Sequence, residues 1–332
     1  MVPPMNIMLA GFDIILIASL LWLAWNILAT DDIFKAVVLF ISFSLLMALC
    51  WVRLHAPDVA MAEAAIGAGL TGPLFLAALR RMKRIHKSER RMDLEEKRPD
   101  QQQTAGPASG RFNPVLLMLI LLLACLTGLL AVVSGILPVQ TEGLGNLVAD
   151  HLPRSGVTSP VTAVLLNFRG YDTLLEIMVL LVAVIGVWSL NPAPMPRQTM
   201  DTSPVQVSLV RLLAPVMTLV AFYLVWQGAA RVGGAFQGGA VLGGAGVLLL
   251  VTNFTWLHAI PSRPLRLGLT LGPTVFLGIA VWCMISNGTL LAYPESSAGS
   301  LILVIETACA LSIGISLTAL FAGGRPNDSL SE

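Results

Sequence analysis

The chain has 332 residues, 56% of them hydrophobic and only 12% charged, with a formal net charge of +1 and a mean hydropathy of +0.80. Soluble domains carry about 25% charged residues, so half the usual solvating charge is missing and a water-soluble globular protein is excluded. The near-neutral balance also argues against a nucleic-acid partner, which would need a basic face.

In chain order, apolar stretches lie at about 7–29, 33–52, 59–79, 115–133, 171–190, 207–229, 238–257, 265–286 and 300–322. Each is close to the ~20 residues that cross a hydrocarbon core of ~30 Å. They predict an all-α integral membrane protein with about nine transmembrane helices. The first stretch is no signal peptide, because it lacks a basic n-region and exceeds a 7–15-residue apolar core. Polar, proline or glycine breaks separate the spans at Thr30-Asp31-Asp32, Ala56-Pro57-Asp58, Asn191-Pro192, Gly233-Gly234, Pro261 and Pro294.

Four segments follow from these breaks. Residues 1–81 form a three-helix membrane domain, and 82–113 a basic linker too polar to bury a core. Residues 114–192 hold two spans joined by a loop, and 205–324 a four-helix domain. Placing the linker in the cytoplasm puts 16 of the 20 basic residues on that side, as the positive-inside rule requires. The N-terminus is then outside and the C-terminus cytoplasmic. The run Arg80-Arg81-Met82-Lys83-Arg84 directly follows a span and reads as an anchor at anionic headgroups. Cys50, Cys125, Cys283 and Cys309 all lie in apolar spans without a CxxC, and the four histidines are scattered. The sequence therefore predicts no metal site, no cofactor and no catalytic motif.

Ionisable groups at bilayer depth are costly and ask for a reason. Glu63 sits among small residues (AMAEAAIGAGLTG), reading either as an interfacial acid or, as we favour, a carboxylate on an ion path. Asp58 follows Pro57 at a helix start, where an acid complements the helix dipole. Arg169, Asp172 and Glu176 are spaced to share one helical face. Arg169 and Asp172 read equally as an interfacial salt bridge, whereas Glu176 lies deeper. Gly170 offers a place for a break in that helix. Glu306 lies in the last span, followed by Thr307, Ser312 and Ser316. Small-residue faces at 62–72, with Gly67 and Gly69, and at 238–246, with Gly239 and Gly243 at GxxxG spacing, predict close helix packing. Asp13 reads as a boundary residue.

Three stretches together resemble a known family. Residues 31–79 are similar to the MbhD-type domain of membrane-bound hydrogenases and Mrp antiporters. Residues 161–190, with Asn167-Phe168-Arg169-Gly170-Tyr171-Asp172-Thr173 and Glu176, resemble the adjoining MbhE-type segment. Residues 205–322 resemble the MnhB/MrpB-type subunit through Arg211-Leu212-Leu213-Ala214-Pro215 and Gly233-Gly234-Ala235-Phe236-Gln237-Gly238-Gly239. The resemblance implies a fused, non-catalytic subunit of a multisubunit Na⁺/H⁺ antiporter, or of a complex-I-related hydrogenase arm. Its partners would be other membrane subunits, the lipid bilayer, monovalent cations and protons. It further implies that Glu63 and Glu176 match acids associated with ion movement, and that Asp58, Arg169 and Asp172 belong to the matching motifs. Asn167 departs from the family's usual acid.

Overall fold

The computed structural model describes residues 4–72, 74, 75, 79, 114–136, 143–190, 203–252 and 262–323. The expected linker over 82–113, the basic run Arg80-Arg81-Met82-Lys83-Arg84 and the breaks at Asn191-Pro192 and Pro261 lie outside them. Among the described residues the chain is helical, with no strand.

Helices α1 (Pro4–Ala29) and α2 (Ile33–Arg53) form a hairpin. Asp32 caps α2 by accepting the Phe34 N–H, satisfying a donor that the helix leaves free. Asp13 on α1 meets Arg53 at the end of α2 in a two-pronged pair at 2.7 and 2.8 Å, so this acid clamps two helices together. Pro57 opens α3 (Pro57–Ala62), where its missing N–H is harmless. This helix continues into a π-helix, Glu63–Thr71. A π-turn shifts the carbonyl partners by one residue, and the Thr71 hydroxyl donates to the Ile66 carbonyl at 2.8 Å.

A separate unit, 83–147, contains the apolar helix α4 (Pro114–Ile136). After α5 (Leu144–His151) and a 3₁₀ turn, Ser159 caps α6 (Pro160–Thr162), which runs into a second π-helix, Ala163–Phe168. The chain breaks at Arg169 (φ −130°, ψ 35°) and restarts as α7 (Gly170–Leu190). The Thr173 hydroxyl crosses this break to the Leu165 carbonyl at 2.6 Å. Then come α8 (Pro204–Gly228), opened by a Ser203/Gln206 capping box, α9 (Ala235–Val251), α10 (Ser262–Asn287) and α11 (Ala298–Ala322).

Helix α11 is the axis of the larger unit. Ile302, Ile305, Cys309 and Ile313 on it are fully buried, together with Phe276 of α10, Ile177 of α7, Val225 of α8 and Ala240 of α9. Burial from water does not drive helix association inside a bilayer, so close packing must. Helix α9 supplies it on two sides. A Cβ on Gly238 would lie 2.6 Å from Val225 Cγ2 of α8. Towards α11, a Cβ on Gly239 would lie 2.7 Å from Ile313 Cβ, and one on Gly243 2.9 Å from Leu317 Cβ. Gly314 of α11 answers them, since a Cβ there would lie 2.7 Å from Leu242 Cβ.

Six described helices are long and apolar enough to cross a membrane: Met8–Ala29, Ile33–Arg53, Gly170–Leu190, Pro204–Gly228, Ser262–Asn287 and Ala298–Ala322. The other three expected spans differ in kind. The third is α3 with its π-helix, and its last turns are only partly described. The fourth is apolar over the shorter stretch Leu121–Val133. The expected span at 238–257 is α9, which begins three residues earlier, at Ala235, and is described to Val251, 17 residues in all. The expected span at 171–190 is α7, and the chain breaks just ahead of it at Arg169, next to the glycine that offered the break.

Replacing Gly239 with Leu is expected to lower stability by about 1–3 kcal/mol through overpacking. Gly186→Ala, where a Cβ would meet nothing within 4 Å, should be neutral or stabilising by up to about 1 kcal/mol. Thermal unfolding of the detergent-solubilised chain measures both.

Candidate ion-path site

The 17 residues of α9 span ~26 Å at 1.5 Å per residue, whereas α8, α10 and α11 have 25, 26 and 25 residues. Its first residue, Ala235, donates its N–H to the carboxyl group of Glu306. Glu306 is the ninth residue of α11, about 12 Å along that helix. Helix α9 therefore begins well inside the bundle, where its free N–H donors cannot rely on bulk water.

Two adjacent glycines build that start. Gly233 (φ 154°) and Gly234 (φ 121°) adopt backbone angles that side chains disfavour. A Cβ on Gly233 would run into the Leu224 carbonyl. The Gly234 N–H donates to that same carbonyl at 2.9 Å, folding the loop back along α8. Asp58 takes two further donors, one on its carboxylate and one on its backbone carbonyl. The Gly233 N–H donates to Asp58 Oδ1 at 3.0 Å, and Gln237 Nε2 donates to the Asp58 carbonyl at 3.2 Å.

Glu306 is 2% exposed. Its Oε1 lies 2.9 Å from where a Cβ on Gly234 would be, and 3.1 Å from one on Gly228, so only glycines leave it room. Its Oε2 is buried and has no hydrogen-bond partner among the described residues. Tyr293, in the loop before α11, likewise has a buried hydroxyl without a described partner. Burial pushes that phenol above its usual range, and Cys283 and Cys309 add to the effect.

A third segment closes on the same loop. The Thr162 hydroxyl donates to the Gly228 carbonyl at 2.5 Å, and the Thr158 and Ser159 N–H groups donate to the Ala229 carbonyl at 2.9 and 3.1 Å. Asn167 donates to the Ser155 carbonyl at 3.0 Å, which ties down the segment that carries Thr158 to Thr162. Residues 228–235 are thus held by α3, by the 155–162 segment and by α11.

The remaining expected site residues sit elsewhere. Glu63 is half-buried in the π-helix and accepts a short hydrogen bond from the buried Ser44 hydroxyl of α2. Gly67 faces the same hydroxyl, which a Cβ there would overlap. Gly69 is exposed, and a Cβ on it would meet only the Ala64 carbonyl of its own helix, at 3.6 Å. Arg169 and Asp172 form an ion pair at 2.6 Å, the arginine exposed and the aspartate half-exposed. The backbone break at Arg169 means that it does not share a helix with Asp172 and Glu176, so the three do not form one helical ladder. Glu176, seven residues into α7, is exposed on the outside of the chain. The role of Ala235, Gly228 and Thr162 has no signal in composition or periodicity, because it rests on backbone groups. The doubled glycine 233–234 is the one local hint.

Comparison with known proteins identifies two of these segments. The MbhD family of MBH subunits matches residues 18–84, and the domain related to the MnhB subunit of Na+/H+ antiporter matches residues 205–322. The chain therefore joins an MbhD-type segment and an MnhB-related domain in one polypeptide. Asp58 belongs to its MbhD part, and the glycine loop and Glu306 to its MnhB part. No curated protein matches the fused chain. Its fold is similar to a chain in the structure of the Mrp complex from Dietzia sp. DQ12-45-1b, with a TM-score of 0.68 and 19% identity, over 94% of this chain and 35% of that one. The fused chain thus spans about a third of the length of that Mrp chain. It also resembles a chain of the membrane-bound sulfane sulfur reductase, an archaeal respiratory membrane complex, with a TM-score of 0.54 and 24% identity, over 64% of this chain and 98% of that one. The apolar helices and both domain matches make it a multi-pass protein of the cell membrane.

Asp58→Ala leaves the Gly233 N–H without its acceptor and is expected to cost about 1–3 kcal/mol. Asp58→Asn keeps an acceptor and should recover most of that loss. Gly234→Ala adds backbone strain of about 1–3 kcal/mol and displaces Glu306. Unfolding midpoints of the three variants in detergent test the ordering.

Proposed function

We propose that the fused chain is a non-catalytic subunit of a multisubunit cation/proton antiporter, supplying carboxylates to a path for protons and a monovalent cation such as Na⁺. The observation that carries this reading is the burial of Glu306 at the ninth residue of the membrane-spanning α11, in the part matched by the MnhB-related domain, with Glu63 half-buried against Ser44 in the part matched by MbhD. Acids at such depth mark ion pathways more often than they serve packing.

The outward Glu176 supports the rest of the proposal. An acid facing lipid in mid-membrane costs about 2.5–3.5 kcal/mol on insertion scales. A neighbouring subunit that covers α7 removes that cost and places Glu176, with the Arg169–Asp172 pair at the mouth, along a shared path. In this reading the chain crosses the membrane about nine times, with the linker and C-terminus in the cytoplasm. Asp58, Arg53, Arg154, Arg169 and Arg231 then share the outer side.

A second reading, a scaffold subunit of a redox-driven membrane complex, is favoured by one observation. Asp58 and Glu306 both hold backbone N–H groups, which is work a purely structural acid does. The two readings separate in the assembled complex. Glu63→Gln and Glu176→Gln are each expected to reduce antiport at least about tenfold, or about 1.4 kcal/mol of barrier, with complex assembly unchanged. Full antiport in both variants would leave only the scaffold. Measurements of cation-dependent pH gradients in vesicles decide between them.

A further inference from the structure

Among the acids, Glu306 is the one whose surroundings restrict what it can bind. One side of its carboxyl group is closed by backbone: the Ala235 N–H donates to it, and Gly228 and Gly234 press against Oε1. The other oxygen, Oε2, is buried and unpartnered among the described residues. Its turn-neighbours on α11 are Ile302, Ile305, Cys309 and Ala310, all buried.

A hard cation stripped of water needs a shell of several oxygen ligands. The side-chain oxygen described next to Glu306 is that of Gln237, whose Oε1 lies 3.5 Å from the same Cβ position on Gly234 that Glu306 Oε1 approaches to 2.9 Å. Asp58 Oδ1 already accepts the Gly233 N–H, and no group of three His, Cys, Asp or Glu side chains converges anywhere among the described residues. The titratable groups in electrostatic contact with this region are Cys309 on α11, Cys283 on α10 and Tyr293 in the loop between them. Gln237 and Asp58 face the same loop from α9 and α3, α8 meets the carboxyl through Gly228, and Glu176 of α7 points outward. A proton needs one oxygen only, and Oε2 is that oxygen.

We propose that Glu306 is a proton-binding site that excludes metal cations, taking up and releasing its proton at Oε2. This rests on the ion-path reading above and divides the labour within it: cation contacts fall to other acids, while Glu306 handles protons alone.

The test uses the assembled complex in lipid vesicles and infrared difference spectroscopy during a pH jump. The expected result is a carboxylic C=O band that appears on acidification and is lost in Glu306→Gln. Exchanging Na⁺, K⁺ and Li⁺ at constant pH should leave it unmoved. Glutamine keeps an acceptor for the Ala235 N–H, so the loop retains its support. If that variant does not assemble, Glu306→Asp must shift the band without removing it. A Glu306 band displaced by cation exchange would make this a cation site and overturn the proposal. The lack of any band sensitive to substitution at Glu306 across the pH range would make the acid a fixed helix cap and overturn it equally. Failure of the antiport reading looks different: Glu63→Gln and Glu176→Gln would be silent while the Glu306 band persisted.

Discussion

Helix α9 starts beside the ninth residue of α11, where Gly234 and Ala235 are buried, and the arrangement of this protein follows from how the backbone N–H donors at that start are satisfied. Lipid cannot satisfy the donors, so protein must. The chain brings two carboxyl groups to them from distant parts of the sequence. Asp58 reaches the Gly233 N–H from 175 residues away, and Glu306 receives the Ala235 N–H from the last helix. An anion or a strong acceptor at a helix N-terminus is electrostatically favoured, so each acid and the helix start stabilise one another. The short α9, the glycine pair and the deep acid of α11 are parts of a single solution.

The same interaction gives fusion of the two domains a physical consequence. The Asp58–Gly233 and Gln237–Asp58 bonds run between the part matched by MbhD and the part matched by MnhB. Residues 155–162 add Thr162, Thr158 and Ser159 from the segment between them. All three meet on backbone atoms of one loop. Their relative position is therefore set by hydrogen bonds at one end of the bundle, and by interlocking glycines along α9 and α11 further down. Side-chain volume does little of this, because α9 presents Gly238, Gly239 and Gly243 at its contacts.

Much of the fold could be read from periodicity and composition. The helical, membrane-spanning class follows from uncharged runs, and the bounds of α2, α7, α8, α10 and α11 lie within a few residues of the apolar stretches. The resemblance of the first and last parts to MbhD and MnhB was legible in motifs. What could not be read has a common cause. It lies in the backbone: the π-helices at 63–71 and 163–168 replace i→i−4 bonds locally, and the loop that starts α9 is held by hydrogen bonds across long separations, Gly233 to Asp58 among them. A spacing rule assumes 3.6 residues per turn, so it placed Arg169 on the face of Asp172 and Glu176. Glu306 was marked as an acid at depth, but its partners are a glycine loop and a main-chain N–H, which carry no side-chain signature.

The two π-helices bear on where movement is accommodated. Such turns shift carbonyl partners and recur at functional sites, and here each adjoins a polar group of interest: Glu63 opens the first, and the second ends at Arg169, ahead of Asp172 and Glu176. In both, a threonine hydroxyl donates to a carbonyl of the irregular stretch, Thr71 to Ile66 and Thr173 to Leu165. A helix built this way can exchange an i→i−5 bond for an i→i−4 bond by a small rotation that swings its side chains around the axis. Glu63, bonded to Ser44 of α2, and Glu176, facing out of the chain, both lie at or within about two turns of such segments. The loop over Glu306 is tied by hydrogen bonds from three segments, whereas the two π-helices, where backbone bonds have alternative partners, lie beside the two other acids.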